Sequence, residues 1–456
     1  MTLTHSSQHN QISNNSQEWS ELQELRVKRA SPTPNIRDAY GDLKKNILSR
    51  LNQAVQPNLH VLPVGEARNL LQEKFDTILA EENIVLTRVE RRKLFEDIIA
   101  EELGLGPLET LINSHEVTQI LVIGPQQIFI ERFGQLELAG VTFEDNAHIL
   151  RTIRRILTPL GKKIDEQTPM VDARLADGSY VNAVIPPVAL NGPTLTIRRI
   201  SQIPFTLEKL IEFHTLTEEA AAFLRTCVQA KLNILIAGNV DSGRTTLLNA
   251  LCTFCTDAER IITIEDTAEL KINKPHLVRL EAQEPPSKIT KRHLLENALR
   301  MRPDRLIVGE IQGDEALIWL QAMHVGQDGS LSTLFANSTR DALSRLEMMA
   351  QMSGTTVPQH IIRAQVSAAI DLVIHLERQR DGSRKVISIS EVQSLEGDLI
   401  TTAEIFRFEQ SGPEQSAANG RLQPTGLRPK FMWKMHAAGI NVPPSLFGIG
   451  LQRSQR

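Results

Sequence analysis

Between Thr206 and Gln410, five short and almost wholly apolar runs each end in Gly, Asn or an acid and hand over to a helical pattern. They are LNILIAG, RIITIED, RLIVGE, LSTLFAN and DLVIHLE. A strand that is apolar on both faces needs a sheet covered on both sides, and intervening helices make such a sheet mostly parallel. The fold class this dictates is α/β. Ligands in sheets of this kind bind beyond the carboxyl ends of the strands, so the residues after each run carry the chemistry.

The first run leads into GNVDSGRTTLLNA, Gly238–Ala250. A phosphate loop needs glycines where the backbone turns tightly, a cation for the β- and γ-phosphates, a hydroxyl for Mg²⁺ and a helix N-terminus facing the anion. Gly238, Asp241, Ser242 and Gly243 form the loop, and Thr245 and Thr246 open the helix. Arg244 stands where the pattern demands Lys. Of the runs that end in acids, RIITIED delivers Glu265 and Asp266 and RLIVGE delivers Glu310. Acids at neighbouring strand ends can hold Mg²⁺ through water and orient an attacking water molecule.

The remaining chain divides around this core. Residues 1–37 begin with a tract of Ser, Asn, Gln, His and Thr that cannot bury enough apolar area to order itself, and a disordered tail is expected. Residues 38–103 place Leu, Ile and Phe at three- and four-residue spacing and read as a helical bundle. Residues 104–204 mix short strands, the helix AHILRTIRRILTPLG and a hairpin around Asp177-Gly178, a compact smaller α/β domain closed by PTLTIRRI. Residues 201–205 form the linker into the nucleotide-binding domain at 205–410, and 411–456, rich in Gly, Pro and Gln, read as an irregular extension.

Composition narrows the function. Lys+Arg total 50 against 54 Asp+Glu, a net charge of −4, and a general nucleic-acid binder should be more basic. The basic run Arg151, Arg154, Arg155, Lys162, Lys163 has no interleaved aromatics and reads as a solvated face or subunit contact. No apolar stretch is long enough to span a bilayer, and three cysteines give no disulfide framework, so a cytoplasmic protein is expected. Cys252 and Cys255 lie on the helix after the loop and read as small buried residues, not as a metal or redox pair.

From Gly104 to Phe408 the chain resembles the type II/type IV secretion ATPase superfamily, and specifically the CpaF/TadA-type motors of Tad (Flp) pilus assembly. The resemblance rests on GPLETLI, KKIDEQTPMVDARLADGS, VNAVIPP, TLTIRR, TIEDTAEL, NALRMRPDRLIVGE and DGSLSTLFANSTRDALSRLE, and beyond that span on GLRP. It implies a RecA-like domain and a smaller α/β N-terminal domain that sandwich ATP–Mg²⁺ in a hexameric ring. It places Gly238–Thr246 on the phosphates, Arg198 and Arg199 near the nucleotide, Glu310 and Glu265 in catalysis, and Thr245 and Asp266 on the metal. A homo-hexamer or a mixed ring with an active paralogue, held at the inner membrane by pilus or secretion platform proteins and without nucleic acid, follows as the expected assembly.

The departures from the family pattern concentrate on charge. Lys is expected at Arg244, His at Gln327 and at Phe335, and Arg at Gln312, Gln283 and Tyr180. Five of these six changes remove a cationic or protonatable group, while glycines, acids and core remain. The resemblance therefore implies an ATP-binding subunit with weakened hydrolysis, or a pseudo-ATPase serving an active paralogue.

Overall fold

The computed structural model describes residues 36–55, 64–114, 116–132, 134–175, 177–199, 205–283, 288–354, 357–410 and 420–448. The disordered tail expected over 1–37, except its last two residues, lies outside them, as do linker residues 201–204. The chain forms two compact units, one ending at Asn113 and one beginning at Ser114.

In the first unit, three helices, α1 (Ile36–Val55), α2 (Val64–Glu81) and α3 (Arg88–Glu102), share one core. Leu71, Phe75 and Ile78 of α2 are spaced to present one stripe, and they are buried with Leu94, Phe95 and Ile98 of α3 and Ile47 and Leu51 of α1. Thr87 and Glu90 cap α3 reciprocally, each side chain taking a backbone N–H of the other.

The second unit holds two sheets. The smaller has six strands, β1 (Val117–Gly124), β2 (Gln127–Arg132), β3 (Gln135–Leu138), β4 (Met170–Arg174), β5 (Tyr180–Val184) and β6 (Thr194–Arg198), in the order β3-β2-β1-β6-β5-β4. All its pairings are antiparallel. Helix α4 (Asn146–Leu157), capped by Asp145, buries Ile149, Ile153, Ile156 and Leu157 on one face.

The larger sheet has nine strands. Six pair in parallel: β7 (Ile234–Gly238), β8 (Ile261–Glu265), β9 (Leu277–Glu281), β10 (Arg305–Ile311), β11 (Leu331–Phe335) and β12 (Leu372–Arg378). Three more, β13 (Arg384–Glu396), β14 (Leu399–Gln410) and β15 (Gly420–Pro424), extend it antiparallel, giving β15-β14-β13-β12-β7-β11-β10-β8-β9. Alternate residues of β7 feed two separate cores, Ile234 and Ile236 one and Leu235 and Ala237 the other. The sheet is thus covered on both faces, which is why its strands read as unbroken apolar runs. Helices α5 (Glu218–Gln229) and α6 (Arg244–Cys252) supply the first core; α7 (Lys291–Ala298), α8 (Glu315–His324), α9 (Thr339–Gln351) and α10 (Gln359–Ala369) supply the second.

The C-terminal segment corrects the irregular reading of 411–456. Beyond 411–419, which lie outside the described residues, β15 pairs with β14, and Phe431, Met432, Met435 and Phe447 enter the core beside α5. The Phe223 ring sits 5.5 Å from Phe406 and 5.7 Å from Phe447. The buried Glu391 carboxylate accepts from the amides of Lys430 and Phe431, fixing the start of helix α11 (Met432–Ala437). No described helix is long and apolar enough to cross a membrane.

Candidate nucleotide-binding site

The strand order brings the carboxyl ends of β12, β7, β11, β10 and β8 side by side, so Gly238, Phe335, Glu310 and Glu265 fall along one edge of the sheet. The loop between β7 and α6 depends on its glycines. A Cβ on Gly238 would lie 2.4 Å from Ser242 Oγ and 2.6 Å from the Leu376 carbonyl, neither of which leaves room. Gly243 has φ +93°, a left-handed conformation that glycine adopts without strain, at the N-cap of α6. It offers no side chain to the first-turn amides, which leaves them facing the loop. Ser242 is buried, and its hydroxyl has no hydrogen-bond partner among the described residues. A helix N-terminus with an unpartnered hydroxyl beside it is suited to an anion. Thr245 and Thr246 occupy that first turn, half-buried.

Arg244 does not reach along the loop. Its Nη1 donates to Glu310 Oε1 at 2.8 Å, and its guanidinium lies 5.5 Å from the centre of the Phe335 ring. Arg345, paired with Asp341, lies 5.4 Å from the centre of the same ring. Gln312 Nε2 donates to Glu310 Oε2 at 3.1 Å, so both oxygens of this carboxylate are engaged.

Glu265 is buried at the end of β8. Its Oε2 accepts from the amides of Glu269 and Leu270, both at 2.8 Å, while Oε1 is buried without a partner among the described residues. Burial pushes its pKa up to about 7, against the pull of those two amides. Asp266, the neighbouring acid assigned to the metal, is taken instead by Lys291, whose Nζ lies 2.6 Å from its Oδ2. Among the described residues no group of three or more His, Cys, Asp or Glu converges to hold a metal ion.

The expected arginines separate. Arg198, at the end of β6, is 3.7 Å from Asp241 and over half exposed, so it borders the loop. Arg199 is committed elsewhere: its guanidinium donates to the carbonyls of Ser114 and Val117, tying β6 to the start of β1. Two arginines that sequence reasoning missed take its place. Arg378 Nη1 lies 3.6 Å from Asp241 Oδ2 and its Nη2 donates to the Gly134 carbonyl at 2.7 Å. Arg384 Nε donates to the Asp241 carbonyl at 2.8 Å. Both also approach Glu131, so β2 and its turn into β3 are joined to the loop through arginine. The only sequence sign of these residues was their position just after the DLVIHLE run, next to β7.

Other expectations hold or fall outside the site. Cys252 and Cys255 are buried free thiols whose pKa values burial raises, in line with a packing role. Tyr180 donates its hydroxyl to Asp172 and lies opposite Arg198 in the β5–β6 pairing. On the opposite sheet end, Arg305 is fully buried and paired with Glu259 at 2.9 Å, and its Nη1 crowds Gly329 so closely that an added Cβ would lie 2.6 Å away.

Comparison with known proteins gives this arrangement its kin. The family described as type II/IV secretion system protein matches residues 101–423, and that described as type II secretion system protein E, N-terminal domain, matches residues 40–103. A conjugal transfer protein TrbB of Rhizobium radiobacter is 30% identical over 63% of this chain and 86% of its own. The type IV secretion system protein VirB11 of Bartonella henselae is 30% identical over 62% of this chain and 91% of its own. A solved structure of the VirB11 ATPase from the Brucella suis type IV secretion system covers 64% of this chain and 97% of its own at 27% identity, with a TM-score of 0.35. Because the first family matches residues 101–423, well over half of this chain, the chain belongs to the type II/IV secretion system protein family.

Proposed function

We propose that this chain is an ATP-binding subunit of a Tad/Flp-type pilus or related secretion machine, and that its hydrolysis is weak. Support for binding comes from the loop: Gly238 and Gly243 keep its backbone, the first turn of α6 faces it, and the buried Ser242 hydroxyl has no partner among the described residues. Support for weak hydrolysis comes from one contact, Arg244 to Glu310 at 2.8 Å. The carboxylate that should orient water is held by the cation that should hold phosphate. An arginine fork does not sit where a lysine ammonium would, so the change of residue and the change of partner go together.

Arg198, Arg378 and Arg384, gathered around Asp241, are the groups positioned to meet phosphate oxygens. The ring of six copies, or a mixed ring with an active paralogue, and the inner-membrane platform belong to this same reading. The second reading, a pseudo-ATPase acting as a structural or nucleotide-gated partner, is favoured by the same Arg244–Glu310 pair. Calorimetric titration with ATP and a non-hydrolysable analogue tests binding: no heat at millimolar nucleotide sinks the reading. Light scattering tests assembly, since a monomer with and without nucleotide contradicts the ring.

A further inference from the structure

Beyond β8 and β10 lies a cluster of charges that the nucleotide reading does not use. Lys291, at the start of α7, is only 6% exposed, yet its ammonium meets three oxygens. Nζ is 2.6 Å from Asp266 Oδ2 and 3.1 Å from Glu315 Oε1, and it donates to the Glu310 carbonyl at 2.7 Å. An ammonium has three hydrogens, so these contacts exhaust it. Glu315 Oε1 also accepts from the Gln312 amide at 2.8 Å. One step along the edge, Arg244 and Gln312 engage the two oxygens of Glu310. Asp266 and Glu310 are therefore already paired with two side-chain cations from the chain itself, and Glu265, whose Oε1 has no partner among the described residues, is 2% exposed.

A magnesium ion demands near-octahedral oxygen ligands at short range and gives up water reluctantly. To take Glu310 it would have to displace Arg244 or Gln312, and to take Asp266 it would have to sit beside the Lys291 ammonium, a buried cation next to a dication. Of the two residues assigned to the metal, only Thr245 is left. On the far side of the loop, Arg198, Arg378 and Arg384 already bring positive charge to where phosphates would lie. We infer that Lys291 and Arg244 are resident counter-cations of the strand-end acids, and that this chain takes its nucleoside triphosphate or diphosphate as the free anion, without a divalent metal. The inference rests on the nucleotide reading above and deepens it.

The test is calorimetric titration of the full chain with ATP and with ADP, once in excess Mg²⁺ and once in excess EDTA. Affinities that agree within about threefold are expected. Binding at least about tenfold tighter with Mg²⁺ overturns the inference and leaves the nucleotide reading standing. Absence of binding in both media overturns both. Lys291→Met, checked for folding by circular dichroism, sharpens the result. With Asp266 and Glu315 released, the variant should acquire a Mg²⁺ dependence of about tenfold. A folded Lys291→Met protein with equal affinities in both media overturns the counter-cation role. Should the variant not fold, the comparison on the natural protein decides alone.

Discussion

The two sides of the site have been treated differently. The loop side, Gly238 to Thr246, keeps what a bound anion requires of the backbone: a side-chain-free Gly238, a left-handed Gly243, an open first turn and a buried hydroxyl without a partner among the described residues. The strand-end side keeps its carboxylates, but their charges are spent internally, Glu310 on Arg244 and Asp266 on Lys291. Binding draws chiefly on backbone geometry, whereas hydrolysis draws on acids and cations placed for the transition state. A site can therefore lose the second and retain the first.

The sharpest way to break this contrast is on the loop side. Gly238→Val puts a branched side chain where Ser242 Oγ and the Leu376 carbonyl leave no space, and ATP binding should be abolished with a lowered Tm. Retained affinity in a folded variant would show that the loop is not the site. Glu265 offers a pH test on the acid side. Its folded pKa of about 7 lies above the 4.5 of the unfolded chain, so the folded protein binds the extra proton between those values. Stability should therefore be greatest, for this group, below pH 4.5 and should fall as pH rises through about 7, by at most about 3 kcal/mol. Urea denaturation from pH 5 to 8 should show that slope, flattened in Glu265→Gln; an equal slope in both proteins would refute the assignment.

A smaller effect separates the arginines. Arg384→Ala should weaken ATP roughly tenfold by removing one charge-assisted contact, while Arg199→Ala should lower Tm and leave affinity nearly unchanged, because Arg199 serves backbone carbonyls. The smallest expected gain comes from Arg244→Lys. One repair does not restore a site that acts as a unit, so rate or affinity should improve only modestly, with fuller activity after Gln327→His and Tyr180→Arg are added. Full turnover from Arg244→Lys alone, read by phosphate release, would locate the whole deficit at that residue.

What the sequence disclosed follows from what local pattern can encode. The parallel strands were legible because burial on both faces leaves unbroken apolar runs, and the loop because its glycines and threonines sit at fixed offsets. Strand β13 escaped because buried Lys385, Ser388, Ser390 and Glu391 interrupt its apolar residues, β14 because its first half, LITTAE, holds no regular pattern, and β15 because five residues ending in Pro424 carry little signal. The charges escaped for a different reason. Arg244 and Glu310 are 66 residues apart, and Arg378 and Gly134 are 244 apart, so nothing local marks them as partners. Lys291 near a helix start reads as solvent-facing until its three oxygens are seen together.

The most direct test of weak hydrolysis at a competent binding site is steady-state phosphate release by the unmodified full chain, run beside an ATP titration on the same sample. Saturable ATP binding with turnover far below about 1 s⁻¹, the lower end of ordinary enzymes, is the predicted result. Brisk release at about 1 s⁻¹ or faster would show that the Arg244–Glu310 pair opens readily and that the site is a working ATPase, contradicting the account.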